Sequence, residues 1–223
     1  SLGAKNIKYI GNLKFSQTES SKKDLNKNIK KIFMKKKIWC ASSTHYNEEK
    51  TCVDAHKKLK SKYKNLLTII IPRHAHRANI IKNEIQKLNL KVHMHDSKKK
   101  IDPLTDIYLV NSFGQTKSFF KICKTVFLGG SIIKHGGQNP LEPVRYGCNV
   151  IHGPNVWNFQ EIYSLLGKYK VSNKIMNSEQ LTDKIDKMFN MKANSKDIII
   201  KIEKLGNKIL NSTFNEINYF INQ

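Results

Sequence analysis

Short runs of β-branched and aromatic residues alternate along the chain with longer stretches in which apolar positions recur every three or four residues. The runs at 8–10, 38–41, 68–71, 92–95, 107–110, 125–128 and 149–152 read as strands. The stretches at 22–36, 48–63, 77–88, 115–124, 140–146 and 159–166 carry the helical period. Strands and helices in alternation predict βαβ units, and since such crossovers are right-handed, an α/β fold: a Rossmann-like, doubly wound parallel sheet with helices on both faces. From about residue 172 the pattern reads as helical to the end, with Leu181, Ile185 and Phe189 on one face and residues 198–220 supplying another. Ligands of such sheets sit at the C-terminal ends of the strands, so the strand-to-helix junctions are where chemistry is expected.

Composition narrows the function less than its extremes suggest. The 223 residues are 39% hydrophobic, enough for a core. No run approaches the roughly 18 apolar residues of a membrane span, and the first residues lack the order of a signal peptide. The charge sum, 40 minus 17, is +23, a value that ordinarily points to nucleic acid or an anionic membrane. But 40 minus 3 arginines leaves 37 lysines, in a chain also rich in Asn and Ile, so the excess reads as compositional bias. The lysine runs at 35–37 and 98–100 read as solvated surface. The three arginines, Arg73, Arg77 and Arg145, are then informative, because their planar fork suits carboxylate and phosphate as Lys does not. Cys40, Cys52, Cys123 and Cys148 form no C-x-x-C pair and read as small buried hydrophobes in a reducing compartment.

Four junctions stand out. "WCASSTHYNEEK" places Ser42, Ser43 and Thr44 ahead of a helix with Glu48 and Glu49 in its first turn, the pattern of hydroxyl capping; the same groups can hold phosphate or sugar oxygen. "IIIPRHAHR" ends a buried strand at Pro72 and presents Arg73, His74, His76 and Arg77, which favours anion binding. His74 with His76, or His93 with His95, would suit zinc only with further ligands, and no such cluster is evident. "VNSFGQT" turns through Asn111, Ser112 and Gly114. "FLGGSIIKHGGQNPLEP" gives a glycine turn at Gly129 and Gly130, then a helix start with Asn139 as cap, Pro140 in the first helical position and Glu142 at the third. Capping accounts for Asn, Pro and Glu but not for Gly136 and Gly137, which would leave helix amides open to an anion; Glu142 would suit ribose hydroxyls.

These stretches, with "GNLKF" at 11–15 and "GPNVWNFQEI" at 153–162, resemble in order and spacing the 3-deoxy-D-manno-octulosonic acid (Kdo) transferases over about residues 3–166. The resemblance implies the C-terminal, donor-binding lobe of an inverting, metal-independent glycosyltransferase of the two-lobed GT-B fold. That family moves Kdo from CMP-Kdo to the lipid A precursor of lipopolysaccharide, at the cytoplasmic face of the bacterial inner membrane. Its CMP-binding segments fall here on Pro72 and Arg73, on Phe113, Gly114 and Gln115, and on Asn139, Pro140, Leu141 and Glu142. Ser43, Thr44, His45, Gly130 and Ser131 are further candidates. The family usually carries an acid at Gln115, Asp-Thr at Asn111 and Ser112, Gly at Asn47 and His at Gln138.

The resulting expectation is a single CMP-sugar-binding domain over 1–223, with a linker and first strand in 1–15 and helices in 173–223. The acceptor lobe and its catalytic Glu would precede it, leaving this chain inactive alone. Arg73 would stabilise the leaving phosphate, with no cofactor and no metal. Expected partners are CMP-Kdo or CMP, the lipid A precursor and an anionic membrane surface, not nucleic acid. Two other readings are a GT-B transferase or epimerase using a UDP-sugar, since the glycine turn and ribose Glu recur in that fold, and a basic nucleic-acid-binding protein.

Overall fold

Six of the seven apolar runs become strands in the computed structural model, which describes residues 3, 7–17, 24–97, 100–191 and 196–222. They are β1 (Lys37–Thr44), β2 (Leu66–Pro72), β3 (Val92–Met94), β4 (Ile107–Leu109), β5 (Thr125–Leu128) and β6 (Asn149–His152), joined by β7 (Ser172–Lys174). The sheet has the order β3-β4-β2-β1-β5-β6-β7, and every pairing is parallel. The chain builds outward from β1 through β2 on one side, then crosses to build β5, β6 and β7 on the other. The gap between β1 and β5 is therefore the switch point at which such sheets hold ligands.

α1 (Lys27–Phe33) precedes β1; α2 (Glu48–Lys62), α3 (Ala78–Gln86), α4 (Thr116–Phe120), α5 (Leu141–Arg145) and α6 (Gln160–Lys168) lie in crossovers between strands; α7 (Ser178–Phe189) and α8 (Lys196–Ile221) follow β7 in the chain. β2, β4 and β5 are buried at every residue, as strands covered on both faces must be. Trp39, Phe127, Ile70 and Ile151 of the sheet pack in one core with Leu59 of α2 and Leu181 and Ile185 of α7. Each fully buried aliphatic side chain of this kind contributes about 1.5–3 kcal/mol.

By contact density the chain divides into a sheet unit of residues 21–195 and a second unit of residues 1–20 and 196–223. In the second, Gly11 and Gly206 let the N-terminal segment lie against α8. A side chain on Gly206 would start 2.2 Å from the Phe15 carbonyl oxygen, and one on Gly11, at φ +138°, 2.9 Å from Ile209.

Four expectations need correction. Residues 8–10 form no strand: Ile7 and Tyr9 are 79% and 76% exposed, and an apolar run without a neighbouring strand satisfies no backbone ladder. The C-terminal part is not helical from residue 172, because Ser172–Lys174 adds an edge strand beside β6. The fourth helix is only the five-residue α4, and the predicted helix at 22–36 is confined to α1, its residues 22 and 23 lying outside the described residues.

Candidate functional site

The site is organised by a bulge at the end of β1. Pairing with β2 shifts between Ser42 and Thr44, and Ser43 takes φ 55°. β5 then closes on the bulge so tightly that a side chain on Gly129 would start 2.4 Å from the Ser43 carbonyl oxygen. The turn beyond β5 wraps around Glu48, which is fully buried. Its Oε2 accepts from the amides of Gly130 (2.7 Å) and His45 (3.0 Å), and its Oε1 from those of Ser131 (3.0 Å) and Ile132 (2.9 Å). Backbone amides converging in this way make an anion nest, and here the protein's own carboxylate fills it.

Glu48 stands in the first turn of α2, as the sequence predicted, but it is buried there and engages the amides of Gly130 and Ser131. Glu49 beside it accepts from Thr44 Oγ1 at 2.9 Å and holds Arg77 in a bidentate pair at 3.0 and 3.2 Å. Arg77, expected at an anion site, is therefore committed within the fold, and Thr44 is wholly buried. The hydroxyls do not cap α2: its cap is Asn47, in the left-handed conformation and without a side-chain cap bond.

Beside the bulge, at the C-terminal ends of β1, β2 and β5, lies a cleft of about 250 Å³. Its walls include Ser42 and Ser43 after β1, Arg73 after β2, Gly114 and Lys117 around the start of α4, and Gln138, Asn139 and Glu142 at the start of α5; Leu128 and Phe120 add apolar surface. Arg73, Gly114, Asn139, Glu142 and Ser43, far apart in sequence, are thereby brought together. The capping position of α5 falls on Pro140 and not, as the sequence predicted, on Asn139; Asn139 Oδ1 accepts from N of Leu141, the first helical residue, at 3.1 Å, and Glu142 stands second in the helix and not third. Glu142 Oε1 lies 3.9 Å from Lys117 Nζ, so a carboxylate and two cations share the cleft. That combination, with hydroxyls and an apolar patch, suits a ligand carrying both phosphate and a polyol.

Pro72, Phe113, Gln115, Pro140 and Leu141, also predicted, are not among the residues that line the cleft. Pro72 and Leu141 are buried, Pro140 is buried just ahead of α5, Gln115 is half-buried and Phe113 is 77% exposed at the tip of its loop. Gly136 and Gly137 have a structural reason. Both have positive φ, and the 156–158 segment lies on them: a side chain on Gly136 would start 2.2 Å from Asn158 Nδ2. Sequence reading missed Thr116, Lys117, Phe120 and Leu128 as cleft residues; their signal was adjacency to Gly114 and to the glycine turn. Among the described residues no group of three or more His, Cys, Asp or Glu is arranged to hold a metal ion, and no helix is long and apolar enough to cross a membrane. All four cysteines are free and buried. Burial raises the thiol pKa values of Cys52 and Cys148, which leaves them chemically quiet.

No protein-family model matches the chain. Among curated proteins it is 32% identical over 170 residues to the 3-deoxy-D-manno-octulosonic acid transferase of Haemophilus influenzae, covering 76% of this chain and 38% of that protein. It is 26% identical over 219 residues to the transferase of the same name from Aquifex aeolicus, covering 98% of this chain and 57% of that one. Thus the chain spans about two fifths to three fifths of the length of these relatives. In three dimensions it matches the C-terminal CMP-Kdo binding domain of WaaA from Acinetobacter baumannii with a TM-score of 0.67 at 23% identity, covering 81% of this chain and 94% of that domain. The chain is a homologue of the 3-deoxy-D-manno-octulosonic acid transferases and has the α/β fold of a GT-B glycosyltransferase C-terminal domain.

Proposed function

We propose that this chain is the donor-binding lobe of a Kdo transferase, holding CMP-Kdo by its CMP moiety while Kdo passes to the lipid A precursor. The observation that carries the reading is the cleft at the β1/β5 switch point, where Arg73, Gly114, Asn139 and Glu142 meet. Arg73 binds the phosphate and stabilises the charge that builds on it as CMP departs, a task for a fixed cation and not for a proton carrier. Glu142 accepts from the ribose hydroxyls. The loop of Phe113, Gly114 and Gln115 and the backbone at Pro72 bracket cytosine and phosphate; the start of α5, from Asn139 through Pro140 and Leu141, fixes Glu142. The proton of the acceptor hydroxyl goes to a group outside this cleft. The cleft measures about 250 Å³.

Compositional bias accounts for most of the lysine; those lysines that face an anionic surface, here the cytoplasmic face of a bacterial inner membrane, would add about 1 kcal/mol each. Calorimetric titration tests the donor assignment. CMP is expected to bind at least about tenfold more tightly than UDP, a difference of ~1.4 kcal/mol. Equal or tighter binding of UDP contradicts it and favours a UDP-sugar enzyme.

A further inference from the structure

The histidine pair singled out in the sequence, His93 and His95, takes no part in the nucleotide cleft. It lines a separate cavity of about 530 Å³ between α1 and the β3/β4 edge of the sheet, and the two share no lining residue among the described residues. A space of that size falls within the roughly 300–1,000 Å³ that small-molecule sites occupy.

Tyr108 of β4 fixes both rings. It is wholly buried; its ring lies at 17° to that of His93, with centroids 5.5 Å apart, and its hydroxyl lies 2.9 Å from His95 Nδ1. Burial raises the pKa of the phenol, so it keeps its proton, and among the described residues His95 Nδ1 is the partner that proton has. Burial also holds His95 below the ordinary histidine value, against the pull of Asp96, and favours the neutral ring. If that ring donated through Nδ1, the buried phenol proton would be left unsatisfied, which folded proteins avoid. The hydroxyl therefore donates to Nδ1, and the neutral His95 carries its own proton on Nε2. His95 is half-buried, and its Nε2 has no hydrogen-bond partner among the described residues. The result is a donor held in a fixed position on the cavity wall with nothing to donate to.

The other walls define what it would meet. Lys100 is exposed and has no ion-pair partner among the described residues, and none of the lining residues is acidic. Asp96 and Asp102, close by in sequence, are not part of the lining, and Asp102 is held by Lys91 at 3.0 Å. Ile29 of α1 and Ile101, both half-buried, supply apolar surface. A cation would meet Lys100 with like charge, and a polyol would set hydroxyls against the isoleucines.

We infer that this cavity is a second ligand site, separate from the nucleotide cleft, for a small amphipathic anion whose apolar body packs on Ile29 and Ile101 and whose carboxylate or phosphate accepts from His95 Nε2 and Lys100 Nζ. The inference does not rest on the donor-binding reading given above.

The test is calorimetric titration of the whole chain with naphthyl phosphate and with naphthoate. Naphthol, which lacks the charge, and inorganic phosphate, which lacks the apolar body, serve as controls. The proteins are wild type, His95→Asn, Lys100→Gln and Arg73→Ala. Asn keeps an acceptor for the Tyr108 hydroxyl and removes the Nε2 donor; Lys100 is exposed, so its replacement leaves the fold intact. At least one naphthyl anion is expected to bind wild type at least about tenfold more tightly than either control, and the tighter of the two distinguishes phosphate from carboxylate. His95→Asn should weaken that binding roughly five- to tenfold and Lys100→Gln about three- to fivefold, with Arg73→Ala unchanged. The inference is overturned if neither anion binds better than both controls, or if either cavity variant binds as wild type does. A loss confined to Arg73→Ala also overturns it, by placing the probe in the nucleotide cleft.

Discussion

Glu48 gives the sharpest test of how the site is built. An acid in the first turn of an exposed helix contributes about 0.3–1 kcal/mol through the helix dipole, and its removal would hardly register. The structure instead places Glu48 at zero exposure with four backbone amides on its two oxygens at 2.7–3.0 Å. Charge-assisted bonds are worth about 1.5–3 kcal/mol each. Their sum overstates the loss, since all four share one carboxylate and the turn relaxes when it goes. Removing one partner of a buried charged network typically costs about 3–5 kcal/mol, and that is the range expected for Glu48→Ala. For a domain of this size it corresponds to a fall in Tm of about 6–20 °C. Glu48→Gln should fare little better, because its amide group sets N–H against N–H at two of the four donors. Thermal unfolding followed by circular dichroism, with urea titration as a second measure, reads the effect. A loss of under about 1 kcal/mol for Glu48→Ala would refute the nest and restore the dipole reading.

The other structural predictions concern neighbouring groups. Arg77→Ala breaks the bidentate pair with Glu49 and should cost about 1–3 kcal/mol of stability, measured by urea unfolding, while leaving CMP affinity alone. Gly129→Ala forces a side chain to within 2.4 Å of the Ser43 carbonyl oxygen and should lower stability by about 1–3 kcal/mol, together with nucleotide affinity, because Ser43 lines the cleft. His152 has its pKa lowered from 6.5 to about 4, chiefly by burial. A folded-state pKa below the unfolded one means the folded state resists protonation, so its stability contribution is complete above pH 6.5 and is lost as pH falls toward 4. Unfolding free energies across that window should drop by up to about 3 kcal/mol for the wild type and fall less steeply for His152→Asn.

The sheet was legible because its strands advertise themselves: Ile69, Ile70 and Ile71, or Val126, Phe127 and Leu128, have few other uses than a covered strand. β7 was invisible for the converse reason. Ser172, Asn173 and Lys174 form an edge strand only because β6 offers them an open ladder, and no local pattern records that offer. The run at 8–10 has strand propensity and no ladder to join, so it stays irregular. At the site, junctions found by spacing did converge, since topology alone carries Arg73, Gly114, Asn139 and Glu142 to one end of the sheet. Spacing failed at Glu48, Glu49 and Arg77, whose partners are the backbone of a distant turn and each other. The scarcity of acids, 17 in 223 residues, made two adjacent glutamates a signal in retrospect. Gly136 and Gly137 show the opposite error, an apparent ligand feature explained by a crossing segment.

The central claim, that the β1/β5 cleft is a CMP site with Arg73 on the phosphate and Glu142 on the ribose, is tested most directly by the CMP affinity of this chain and its Arg73→Ala and Glu142→Ala variants. Each substitution removes one charge-assisted contact and should weaken CMP binding by about ten- to a hundredfold, with unfolding midpoints unchanged. CMP bound equally well by all three proteins contradicts the claim.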